Sequence, residues 1–460
     1  MGSITPTSTP KHSLLYKNFH RNPALVVESA SGIYLNIDDG RKILDATSGA
    51  AVAGLGYGNQ EVQKAMITQM QTISYCHPGF YKTKVAEDLA DFLVASTHGQ
   101  MSKAILTGSG SEAVEVAIKL AKTYFAQLSP PQPSRDRFIA RVGAWHGATL
   151  GALSFGDFKG RKEPFLSLIP RNVSRVSACS EYRGRLEGES DDDYVLRLAE
   201  ELEDEFQRIG PHRVAAFVAE TVGGSSTGCA TAVPGYFPAM KAVCERHGAL
   251  LILDEVMCGM GRTGTLHAWE QEGVIPDIQT VGKGLGAGYG TISAVLLNKS
   301  MVTTFQIAGK GFAHGQTYMA HPLSAAAALK VQQIIKDQDL VSNIREMGNY
   351  LEHRLKERLG DHPFVGNIRG RGLFWAVEFV ADKRTKTPFP ISLNLNGKLH
   401  DIGLSRGYEM ALFNAPGSVD GYAGDHVVIA PPYIVCESDV DEIVDRLVRI
   451  IEATFAALKL

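Results

Sequence analysis

Between about residues 65 and 298 the chain alternates short apolar runs with stretches of helical period. The runs fall at residues 104–106, 138–142, 214–219, 249–253, 278–281 and 292–297. Short runs without polar alternation read as strands buried on both faces. Strands alternating with helices predict an α/β fold whose large part is a mostly parallel, doubly wound sheet. Residues 23–45 read as short strands and turns, with Gly40 as punctuation, and the Ser/Thr/Pro-rich residues 1–12 as disordered.

Outside the strands the pattern is helical or linking. Ser129-Pro130-Pro131-Gln132-Pro133-Ser134 is a proline-rich turn. Asp191-Asp192-Asp193 precedes a surface helix with an apolar stripe of Tyr194, Leu196, Leu198, Leu202 and Phe206. After Pro322 an alanine-rich run starts a long helical region, with a break expected near Gly348 or Gly360. A final amphipathic helix follows Ser438, and Ser438-x-x-Asp441 resembles a capping box.

In a doubly wound sheet the ligand lies beyond the carboxyl ends of the strands. After these run ends come Thr107-Gly108-Ser109-Gly110-Ser111, Gly143-Ala144-Trp145-His146-Gly147, Glu220, Asp254 and Lys283. Asp254 closes Leu250-Leu251-Ile252-Leu253, and Lys283 closes the next strand between Gly282 and Gly284. A lysine amine can hold an aldehyde cofactor as a Schiff base. An aspartate can keep a pyridine nitrogen protonated so that the ring accepts electrons. That pairing is the pyridoxal phosphate arrangement.

Each motif has a plainer reading beside the chemical one. The 107–111 loop can cradle a phosphate at a helix start or simply cap the helix. It also fits a G-x-G-x-x-A dinucleotide pattern, the basis of a nicotinamide-dependent oxidoreductase as remote alternative. That pattern needs a carboxylate closing the next strand, and Gly143-Ala144-Trp145 stands there instead. Trp145 can stack on a flat ring or belong to the core, and Asp254-Glu255 can form a buried ion pair. A P-loop is excluded, because Gly284 follows the lysine where Ser or Thr is required.

With 460 residues, 44% hydrophobic and 21% charged, the composition is that of an ordinary globular protein. A net charge of −3 gives no reason to expect nucleic acid. No apolar run reaches membrane-spanning length, so no membrane partner is expected. The six cysteines show no C-x-x-C pair, and the 14 histidines show no metal-ligand spacing. A reducing, cytoplasmic setting and no metal are the expectation.

Taken together the motifs resemble the class III pyridoxal-phosphate aminotransferases, the ω-aminotransferase branch of the aspartate aminotransferase-like fold type I. The resemblance rests on the 107–113 loop, Trp145-His146-Gly147, the run from Leu250 through Asp254 to Gly264, and Gly282-Lys283-Gly284. Gly315-Gln316-Thr317-Tyr318, His321-Pro322, Gly424-Asp425-His426 and Pro431-Pro432 complete it. It implies pyridoxal 5'-phosphate as cofactor, with Lys283 and Asp254 catalytic. It places Trp145 and Val256 on the two faces of the ring, and Ser109, Gly110 and Ser111 at the phosphate. His146 and Glu220 stand close by, and Thr317 completes the phosphate site of a neighbouring subunit, so a homodimer or larger homo-oligomer is expected. It further implies a small domain from residues 13–64 and 326–460 around a large cofactor domain at 65–325. The expected reaction is ping-pong transfer of an amino group from an amine donor to a keto acid acceptor. A racemase, aminomutase or lyase on the same fold is the alternative.

Met257 and Met260 stand where many relatives carry glutamine and phenylalanine. Relatives also often carry a mobile arginine before the segment matching Pro431-Pro432, and residues 407–432 contain neither arginine nor lysine. Arg406 lies just outside, and Arg262 is a second candidate to bind a substrate carboxylate. At least one substrate is therefore expected to lack a carboxylate beside the amine or carbonyl, the acceptor's carboxylate being held by another group.

Overall fold

The computed structural model describes residues 25–460, so the expected disordered segment at 1–12 lies outside the described residues. Strands β1 (Val27–Ser31), β2 (Tyr34–Ile37) and β3 (Lys42–Asp45) come first. Seven more follow: β4 (Met101–Thr107), β5 (Arg137–Arg141), β6 (Val173–Val176), β7 (Val214–Glu220), β8 (Leu250–Glu255), β9 (Ile278–Val281) and β10 (Ser293–Asn298). The last are β11 (Val365–Arg371), β12 (Phe374–Phe379), β13 (Met410–Ala411), β14 (Phe413–Pro416) and β15 (Asp425–Ile429).

The middle seven form one sheet in the order β4-β10-β9-β8-β7-β5-β6. Only β10 runs antiparallel to its neighbours, so the other six strands end on the same edge. Strand alternation explains the unbroken apolar runs. Leu250 and Ile252 pack with Ala216 and Val218 against the helix Gly110–Gln127. Leu251 and Leu253 face the other way, with Phe217 and Ala219, into a core closed by the helices Asp191–Ile209 and Tyr236–Arg246. Burying each such side chain contributes on the order of 1.5–3 kcal/mol.

Two four-stranded sheets lie outside this one, β1-β2-β3-β13 and β11-β12-β15-β14. A third core joins residues of β3, β12 and β15 to the helices Leu340–Leu359 and Glu437–Leu458, through Leu44, Val377, Ile429, Leu351 and Leu447.

Several local expectations are corrected. Strand β6 was not expected, because Val173-Ser174-Arg175-Val176 is an edge strand and half of its residues are polar. Leu196 is exposed and Val195 takes its place in the buried stripe of the helix Asp191–Ile209. Of the two glycines expected to break the helical region, Gly360 ends the helix Leu340–Leu359, with a further break at 338–339, whereas Gly348 lies inside that helix. A Cβ there would come within 2.5 Å of the Gly372 backbone, so the glycine serves close packing. The last helix starts at Glu437, capped by Cys436 with Asp439 rather than Ser438 with Asp441. Asp441 instead accepts from Tyr350 and Arg354.

Candidate active site

Register builds the centre of the site. Glu220 of β7 pairs with Asp254 of β8, and Asp254 pairs with Thr280 of β9. Paired residues on adjacent strands share a face, so the three form one polar row at the carboxyl edge. By alternation the row points to the side of the helix Gly110–Gln127. All three residues are buried.

The row is closely hydrogen-bonded. Asp254 Oδ1 accepts from Val256 N and Thr280 Oγ1, both at 3.0 Å. Its Oδ2 lies 2.8 Å from His146 Nδ1, which as the N–H partner of a carboxylate donates to it. A carboxylate has about four acceptor sites, and three are used. Glu220 Oε1 accepts from Gly224 N at 2.8 Å, and Oε2 from Trp145 N at 3.3 Å. Burial pushes the Glu220 carboxyl above its ordinary range, against the pull of His146.

Lys283 follows β9 across Gly282 and opens a single 3₁₀ turn at φ +42°, a left-handed conformation that non-glycine residues rarely hold. Burial pushes its amine down to about 8, against the raising pull of Asp254 and Glu220. An amine in that state loses its proton near neutral pH far more readily than an exposed lysine.

The 107–111 loop caps the helix Gly110–Gln127. Ser109 Oγ accepts from Glu112 N at 3.3 Å, an ordinary N-cap. Gly110 and Ser111 open the helix, where first-turn N–H groups point outward. A Cβ on Gly110 would come within 2.6 Å of Val256, so glycine lets the helix start approach the end of β8. Ser111 Oγ accepts from Ala148 N at 3.0 Å, tying the loop to the Trp145-His146-Gly147 segment.

Trp145 is half-buried, and the Arg161 guanidinium lies 4.9 Å over its ring. Thr317 stands apart on an exposed turn, where its carbonyl accepts from Tyr75 Oη at 3.1 Å. The two arginines considered for a substrate carboxylate stand in different surroundings. Arg262 is fully buried, donates to the carbonyls of Leu373 and Pro431, and lies 4.5 Å over the Tyr433 ring. Arg406 is exposed beside Asp39.

The donor set fits pyridoxal phosphate. Asp254 keeps one acceptor site for a ring N–H. Buried His146 Nε2 has no protein partner, and a helix start offers donors to a phosphate. Sequence reading missed Thr280, whose hydroxyl reaches Asp254 only because of the β8–β9 register. It also missed the separation of Glu255, which turns to the opposite face and accepts from Ala268 N, Trp269 N, Gln279 and Thr221.

The model of the Aminotransferase class-III family matches residues 15–451. An uncharacterized aminotransferase of Schizosaccharomyces pombe is 46% identical over 460 residues, covering 99% of each chain. The putrescine–pyruvate aminotransferase of Pseudomonas aeruginosa is 30% identical, over 96% of this chain and 94% of the relative. The solved ω-transaminase of Pseudomonas jessenii in complex with PMP superposes with a TM-score of 0.88 at 31% identity, covering 99% of this chain and 97% of that one.

Proposed function

The chain belongs to the class III aminotransferase family and is a pyridoxal-phosphate-dependent aminotransferase of fold type I, and we propose that Lys283 and Asp254 carry its chemistry. The observation that carries this assignment is the juxtaposition of a half-buried lysine, its pKa lowered by desolvation, with a carboxylate fixed by three donors at one sheet edge.

When bound, the cofactor supplies an aldehyde that condenses with amines and a ring that takes up the electron pair left by a departing proton. The protein's part is to position and to move protons. Asp254 would keep the ring nitrogen protonated through its remaining acceptor site, while His146, Thr280 and Val256 N fix the direction of its carboxylate. Trp145 and Val256 would flank the ring, and the Gly110 and Ser111 N–H groups would hold the phosphate, with Ser109 fixing the turn. Glu220 secures the Trp145 loop through its backbone N–H. Lys283 is the base that would take the proton from the substrate carbon, its lowered pKa favouring the free amine.

The substrates in this reading are an amine or ω-amino donor and a keto acid acceptor, exchanged in ping-pong order. The chain works as a homodimer or larger homo-oligomer in the cytoplasm, with Thr317 serving the phosphate of the neighbouring subunit. Its exposed position favours that role. Among the described residues no helix is long and apolar enough to cross a membrane. Residues 65–325 form the cofactor domain, and residues 13–64 and 326–460 the smaller one.

The test is amino transfer from a panel of amines to pyruvate by purified enzyme, repeated with Lys283→Ala. Wild type is expected to form alanine and the variant to lose turnover while remaining folded. Turnover by the variant within tenfold of wild type overturns the role of Lys283. The same assay separates amino transfer from racemase or lyase chemistry.

A further inference from the structure

Beside Trp145, between the short helix Lys159–Lys162 and strand β14, lies a narrow cleft with room for about one water-sized group. Arg161 and Ser226 line it, with Phe158 and Ala415. Neither polar residue has a role in the machinery described above.

Arg161 is half-buried, stacked on Trp145 and 5.2 Å from the Phe158 ring. The carboxylates nearest to it in sequence are engaged elsewhere, Asp157 with Arg175 at 3.1 Å and Glu163 with the Tyr422 hydroxyl. No described carboxylate comes within ion-pair distance of Arg161. Burial alone pushes its guanidinium below the ordinary arginine range, as for a cation desolvated without a counter-ion. Stacking on aromatic rings leaves its planar fork of N–H donors available.

Ser226 supplies an independent sign. It is 4% exposed, and its Oγ has no hydrogen-bond partner. Its backbone is held from both sides. The Ser225 carbonyl accepts from His426 Nε2 at 2.7 Å, and the Thr227 carbonyl from Arg369 at 2.9 Å. Arg369 is fixed in turn by the fully buried Glu378, which also binds Arg183. A hydroxyl held firmly and left unpaired in a buried site is costly unless a ligand satisfies it.

We propose that Arg161 and Ser226 form the subsite that binds the carboxylate of the keto acid acceptor, an inference that rests on the aminotransferase reading above. One carboxylate oxygen fills the cleft and accepts from Ser226, while the guanidinium donates to the carboxylate from above Trp145. Trp145 lines the cleft and carries Arg161 on its ring, so the subsite shares the residue proposed to flank the cofactor. It also accounts for a segment 407–432 without a cation.

The test compares pyruvate with acetaldehyde, which has the same reacting carbonyl and no carboxylate, using one amine donor throughout. The reading is the ratio of kcat/KM for the two acceptors in wild type, Arg161→Met, Arg161→Lys and Ser226→Ala. The ratio is expected to fall about 10- to 100-fold in Arg161→Met, less in Arg161→Lys, and about 3- to 10-fold in Ser226→Ala. If Arg161→Met fails to fold, the other two variants decide. An unchanged ratio, with both acceptors losing equally, assigns Arg161 a structural role through Trp145 and overturns the proposal. Failure of the underlying reading looks different, since wild type itself would then transfer no amino group to either acceptor.

Discussion

Asp254 and Glu255 are sequence neighbours at the end of β8, yet they face opposite sides of the sheet and meet opposite surroundings. Asp254 shares its side with His146, Glu220 and Thr280, and keeps an acceptor site open. Glu255 lies in the packed interior of the other side, where four donors converge on it and burial pushes its carboxyl up to about 7. The difference teaches that one strand end delivers two carboxylates to two tasks. Alternation alone separates a group aimed at a ligand from one that ties β8 to the 3₁₀ turn Ala268–Glu272.

The comparison breaks if the two variants behave alike. Asp254→Asn is expected to fold and to lose at least about a hundredfold in rate, since a neutral amide cannot hold a ring proton by charge. Single-turnover kinetics check this, and a rate near wild type removes Asp254 from the chemistry. Glu255→Gln is expected to lose about 2–4 kcal/mol of stability by denaturant unfolding, because donors on the buried side lose an acceptor. Its rate per folded molecule should stay within a few-fold of wild type. The pH dependence has a definite sign. Between about 4.5 and about 7 the folded state keeps a Glu255 proton that the unfolded state has released, so this group's contribution to stability falls as pH rises. Glu255→Gln should flatten that part of the stability profile.

Thr317 lies off both faces and tests whether one chain completes the site. Thr317→Ala is expected to weaken cofactor binding by about 1–3 kcal/mol, measured by equilibrium titration, if its hydroxyl reaches a phosphate across a subunit contact. Undiminished affinity in a stable monomer would place the phosphate site within a single chain.

The strand-end residues were legible because an apolar run fixes both a strand and the place where it stops. Residues 278–281 read as a strand, and Lys283 follows it across one glycine. The register that joins Thr280 to Asp254 was not legible, because pairing between parallel strands leaves no local mark. Arg161, Ser226 and Ala415 come from three separate stretches of chain, so nothing in the spacing brings them together. Gly348 misled for a related reason: its signal of a helix break is the same one that close packing against Gly372 produces.

The most direct measurement is borohydride reduction of the holoenzyme followed by peptide mapping. The account predicts one pyridoxyl-labelled lysine, Lys283, in the peptide spanning Gly282 and Gly284, with loss of the visible absorption band. A label on any other lysine, or a band that survives reduction, would contradict it.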